Sequence, residues 1–309
     1  MFVFTTVWKV VSVAVLVLLA VPACGGSNGE DDGKAAPIRD PRPPFRVSTV
    51  TEDLVDASRS AEGLENRPLA TTISYPGAAE DRFPLIVLAH GFMDHPRDFS
   101  GLATAWAEAG YVVAAPAFPL SNTDAPGGPS PADFPNQPGD VSFVIDEVVR
   151  LSQQDGHPLE DRIDSDRVGV AGHGLGVTTV LGATFNSCCH DDRIDAVIAM
   201  SGILIDLPGS YDFSATPMLM LYGAADEFIP PTTGPEIYAR ARPPKLLVTI
   251  TNGTHYPPYL DEPDPADDTV IAATTDFWNV YLSGSSRSTD DLLDHATVDG
   301  ITVLEHETS

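Results

Sequence analysis

Short apolar runs alternate along most of this chain with longer stretches in which apolar residues recur at helical spacing. Residues 83–89, 166–171, 194–200, 217–222 and 245–250 form the short runs. Apolar segments of this length, bounded by glycine, proline or acidic residues, predict strands buried on both faces. Residues 98–108, 140–152, 175–184, 235–242 and 268–281 carry the helical period. Strand and helix in alternation predict an α/β fold: a mostly parallel central sheet with helices on both faces. Earlier runs at 45–50 and 69–75 predict an antiparallel edge. No internal repeat is visible. With 309 residues and 43% hydrophobic content, the chain can bury one core of this kind plus tails. Residues 45–285 are read as that domain, and 286–309 as a C-terminal extension.

One junction in this pattern carries chemistry. Gly172-His173-Gly174-Leu175-Gly176 lies between the strand at 166–171 and the helix from Leu175. G-x-S-x-G at a strand-to-helix turn is the nucleophile elbow of the α/β-hydrolase fold, where a tight turn lifts the central side chain above the sheet. Here the central residue is Gly174, which has no side chain. Glycine-rich turns of this kind also cradle dinucleotide phosphates. Those open the first strand–helix unit and place an acid at the end of the next strand. This turn comes late, and the strand after it ends in Ser201-Gly202.

The partners of an elbow follow in the order that the fold requires, acid and then histidine. Asp226 lies just past the strand at 217–222, after Gly223. His255 lies just past the strand at 245–250, in Asn252-Gly253-Thr254-His255. An imidazole so placed takes a proton from the nucleophile, while the acid fixes its tautomer. Upstream, the strand at 83–89 runs into His90-Gly91-Phe92-Met93. The backbone amides of Phe92 and Leu175 are the candidate oxyanion donors. Thr178 and Thr179 lie a helical turn beyond the elbow, and His173 is expected to pack beside it. None of them is a convincing substitute for serine.

These motifs resemble those of bacterial α/β-hydrolases related to dienelactone hydrolase, platelet-activating-factor acetylhydrolase and the cutinase-like polyester hydrolases. The similarity runs from about residue 54 to residue 282 and is strongest at 83–119, 137–145, 162–189 and 218–259. It implies an α/β-hydrolase that cleaves carboxylic esters without a metal or other cofactor. It also implies Asp226 as the acid, His255 as the base, and Phe92 and Leu175 as oxyanion donors. The serine is not carried over, because Gly174 stands in its place.

Charge and cysteines narrow the setting. Forty-four acidic residues against 17 basic ones give a net charge of −27, which excludes nucleic acid as a natural partner. The acidic run at 261–268 reads as a solvated loop, since its prolines and missing glycine exclude an EF-hand. The Pro- and Gly-rich stretch 122–139 is long enough to border a cleft. Residues 1–23 read as an export signal: Lys9, an apolar run from Val10 to Val21, then small residues leading to Cys24. Val21-Pro22-Ala23-Cys24 resembles a lipobox, so Cys24 is the expected lipidation site, and 24–44 the tether of a membrane-anchored envelope protein. An ordinary secretory cleavage nearby is the alternative. Cys188 and Cys189 are adjacent, which puts their Cα atoms ~3.8 Å apart, below the usual ~4.4 Å for a disulfide. They read as a structural helix end or a redox-sensitive turn. The helix carries them roughly 18 Å from the elbow at ~1.5 Å per residue, too far to replace its nucleophile.

Three functions fit the empty elbow. One is a family member that binds small or lipid-like esters with weak or absent acyl-enzyme chemistry. The second is an ester hydrolase in which His255 activates water. The third is a non-catalytic ligand-binding or structural envelope lipoprotein.

Overall fold

The computed structural model describes residues 44–77, 81–261, 263–283 and 288–309. The expected signal, Cys24 and nearly all of the tether lie outside these residues, as does Glu262 of the acidic run. Among the described residues nine strands form one sheet: β1 (Val47–Asp56), β2 (Arg67–Pro76), β3 (Phe83–Ala89), β4 (Val112–Pro116), β5 (Ile163–His173), β6 (Ile194–Met200), β7 (Met218–Gly223), β8 (Lys245–Ile250) and β9 (Thr302–Glu307). Their order is β1-β2-β4-β3-β5-β6-β7-β8-β9. The six from β4 to β8 in that order are mutually parallel. β1 and β2 make the expected antiparallel edge, and β9 adds a second antiparallel edge beside β8.

Alternation along each strand sends side chains to opposite faces. Leu85, Val87, Val170, Val197 and Met220 join one core, which the helices α2 (Gln137–Ser152), α3 (Leu175–Phe185) and α4 (Thr233–Arg240) cover. Ile86, Leu88, Ala171, Ile198 and Leu221 join the other, under α1 (Ser100–Glu108), α5 (Asp267–Tyr281) and α6 (Thr289–Ala296). The central stretches of the parallel strands are apolar because both of their faces are covered, and the polar residues Asp164 to Arg167 of β5 and Asp195 of β6 fall at the starts of their strands. No helix among the described residues is long and apolar enough to cross a membrane.

Two segments do more than the pattern indicates. The described part of the expected extension 286–309, residues 288–309, supplies α6 and the ninth strand. The stretch 122–139 is held at both ends. Thr123 N–H donates to the Asp94 carbonyl near the elbow. Further on, Asp133 and Asp140 clasp the fully buried Arg67 guanidinium with four N–H···O bonds of 2.5 to 2.9 Å. Burial opposes the charge on Arg67, yet the two carboxylates hold its pKa above the usual value. Just past α3, a disulfide joins Cys188 to Cys189.

Candidate active site

The elbow is built from two close approaches of backbone. A β-carbon on Gly172 would collide with the carbonyl of Gly176, and one on Gly176 with the carbonyl of Ala89. These two positions therefore require glycine, and they let β5, α3 and the end of β3 pack without a gap. Gly174 sits between them at φ 56°, ψ −120°, a conformation that costs other residues on the order of 1–3 kcal/mol. The space above it admits a β-carbon without a clash. A β-carbon there would lie 3.6 Å from Gly91 Cα and 3.6 Å from His255 Nε2.

The structure brings Gly174, His255 and Asp226 together beyond the C-terminal ends of β5, β8 and β7. This is the edge where ligands bind in open α/β sheets. His255 Nδ1 lies 2.9 Å from Asp226 Oδ2. The other Asp226 oxygen accepts the backbone N–H groups of Phe228 and Ile229, each at 2.8 Å. With three hydrogen bonds and a side chain only 1% exposed, the carboxylate can receive Nδ1–H, and that leaves Nε2 facing Gly174. Burial lowers the His255 pKa, and repulsion from His173 adds to this; the Asp226 hydrogen bond and charge offset only part. The imidazole is thus kept as a neutral base near neutral pH.

Phe92 follows Gly91, which touches the space above Gly174. Leu175 follows Gly174 as the first residue of α3, where an amide has no intrahelical partner. Neither amide donates a hydrogen bond among the described residues. Both remain available to an oxygen held over the elbow. Met93, next to Phe92, is 54% exposed, and Phe228, beside His255, is 61% exposed. The Phe228 ring stands 5.2 Å from that of His255, and Tyr256 packs against both. Met93 is also a non-glycine residue at φ 67°, strained at the rim of the site.

The hydroxyls of Thr178, Thr179 and Ser201 are all engaged elsewhere and do not replace the missing one. Thr178 is buried and donates to the Ile203 carbonyl; Thr179 is buried and donates to Gln137. Ser201, at the end of β6, is buried and donates to Tyr259. Among the described residues, no group of three or more His, Cys, Asp or Glu could hold a metal ion. Two further residues take part in ways that motifs alone do not reveal. His173 does more than pack beside the elbow, and Asp94 has a direct link to it: His173 Nδ1 lies 3.2 Å from Asp94 Oδ2. Asp94 has no motif signature, because its partner is distant in sequence.

A family model described as PETase, PET hydrolase-like, matches residues 29–279. The chain belongs to the PET hydrolase-like family. Comparison with curated proteins gave no match. Among solved structures, a ferulic acid esterase from Streptomyces cinnamoneus is similar, with a TM-score of 0.62 and 21% sequence identity over 84% of this chain and 97% of that one. At that identity the likeness concerns the fold, and it confirms the α/β-hydrolase architecture. This PET hydrolase-like chain departs from the G-x-S-x-G elbow at the one position that supplies a nucleophile.

Proposed function

We propose that the protein binds carboxylic esters at an α/β-hydrolase site that performs little or no serine acyl-enzyme chemistry. The observation that carries this reading is the pairing of a hydrogen-bonded His255–Asp226 dyad with room for a side chain, but no side chain, at Gly174. The free amides of Phe92 and Leu175 support a bound carbonyl oxygen, and the exposed Met93 and Phe228 side chains favour an apolar ligand. Loss of the nucleophile alone costs a serine hydrolase on the order of a million-fold in turnover. The purified protein is therefore expected to turn over short p-nitrophenyl esters near the background rate while product acids and inert ester analogues still bind. Robust hydrolysis that survives His255→Ala would contradict this.

The 3.6 Å gap between the Gly174 β-position and His255 Nε2 favours one second reading. A water held by Nε2 over Gly174 gives a proton to His255 as its oxygen attacks the ester carbonyl, and the imidazolium returns that proton to the departing alkoxide. Slow hydrolysis that rises with pH and disappears in His255→Ala would select it over simple binding. We also propose that the domain is exported and anchored through lipid on Cys24, on the strength of the signal-like leader and the polar tether.

A further inference from the structure

The side chain that follows Gly172 in the elbow points away from the space above Gly174 and into the protein. His173 is fully buried. Its ring lies 4.8 Å from the His255 ring, 5.4 Å from Phe99 and 5.4 Å from Tyr259. Its Nε2 donates to the backbone carbonyl of His255 at 2.9 Å, and its Nδ1 faces Asp94 Oδ2 at 3.2 Å. The same Asp94 oxygen accepts the N–H of Gly91 at 3.0 Å. Both ring nitrogens thus face acceptors, so with both protonated one imidazole bonds to the histidine loop on one side and, through one carboxylate, to the turn that carries the Phe92 amide on the other.

We propose that Asp94 and His173 are a positioning pair that fixes the Gly91–Phe92 turn and the His255 loop relative to each other through the elbow. The pair touches neither the space above Gly174 nor a ligand held there. It sets the separation between the base and one oxyanion donor, a distance that neither loop controls alone. This rests on the reading of the site as an ester site only for its purpose; the tie itself is a property of the ligand-free protein. The charges facing His255 fit a second consequence. Asp226 is its direct partner. From the elbow side, His173 disfavours its protonated form and Asp94 favours it.

The test uses the full-length protein without ligand, with His173→Phe, Asp94→Ala and Asp94→Asn. Hydrogen exchange is read over residues 90–94 and 252–257, with exchange in β3 and β5 as the control for folding. Asp94 makes no hydrogen bond to the His255 loop. Even so, Asp94→Ala is expected to raise exchange in both loops by about tenfold, and His173→Phe to do the same while keeping ring packing. The His255 titration midpoint, followed by NMR of its ring proton, is expected to rise in His173→Phe and fall in Asp94→Asn. Opposed shifts are something that mere packing would not produce. Loosening confined to residues 90–94 in Asp94→Ala, or shifts of the same sign or none, overturns the proposal. If His173→Phe or Asp94→Ala exchanges throughout β3 and β5, the midpoint in folded Asp94→Asn decides alone: a fall supports the tie, and a rise or no change overturns it. Because no ester is used, failure here leaves the ester reading standing. Failure of ester binding in a protein with intact coupling removes only that reading.

Discussion

His255 Nε2 lies 3.6 Å from the point that a β-carbon on Gly174 would occupy. An oxygen one bond further out would fall within hydrogen-bond reach of that nitrogen. The geometry thus retains the place of a serine oxygen without the atom itself.

Backbone strain at the elbow gives the first expectation. Alanine at position 174 meets only ordinary contacts, so its cost is conformational rather than steric. Gly174→Ala should lower unfolding free energy by about 1–3 kcal/mol in urea titrations. A neutral or stabilising substitution would mean that the turn relaxes to accommodate a side chain.

Buried histidines set the second. His90 is buried, Nε2 accepts the Phe118 N–H at 3.0 Å, and burial lowers its pKa from 6.5 to about 4. His255 is lowered as well. A depressed folded-state pKa means that the unfolded chain binds more protons, so stability is full above pH ~6.5 and is lost as pH falls toward the folded value. His90 alone contributes on the order of 3 kcal/mol over that window. Stability measured by urea from pH 7 to 4 should therefore fall, and His90→Gln should flatten the slope. Asp191 titrates lower: burial would raise its pKa, but hydrogen bonds from Arg193 bring it to about 2. A slope unchanged by His90→Gln would contradict the assignment.

Arg67 offers a stability test remote from the elbow. Its removal leaves buried Asp133 without its cation and buried Asp140 with only the partly exposed Arg59. Arg67→Met should cost about 3–5 kcal/mol. The double variant with Asp140→Asn should recover part of that loss, and failure to recover any would show that the three residues do not act as a unit.

Much of this molecule is legible in its sequence. The parallel strands announce themselves because burial on both faces leaves runs such as Leu85-Ile86-Val87-Leu88 free of polar residues. Gly172 and Gly176 are legible because only glycine allows their close approaches. β9 is harder to see. As an edge strand it exposes Val303, Glu305 and Glu307, and so has neither a continuous apolar run nor a helical period. The Asp94–His173 tie is invisible for another reason. It joins residues 79 apart in the chain, and nothing local in either segment records the pairing.

Anchoring is checked separately. Cys24→Ala should release the domain from membranes or leave the leader uncleaved, as read by fractionation and intact mass. Unchanged membrane retention with normal processing would rule out the lipid anchor.

The empty elbow is tested most directly by labelling with a fluorophosphonate, a probe that requires an activated serine oxygen. The native protein should carry no label. Gly174→Ser should place an oxygen between His255 and the Phe92 and Leu175 amides, acquire the label, and gain short-chain esterase activity of about a thousand-fold or more over the native protein. A native protein labelled at a serine, or a folded Gly174→Ser variant that neither labels nor hydrolyses short- and medium-chain esters, would contradict the claim that only the nucleophile is missing.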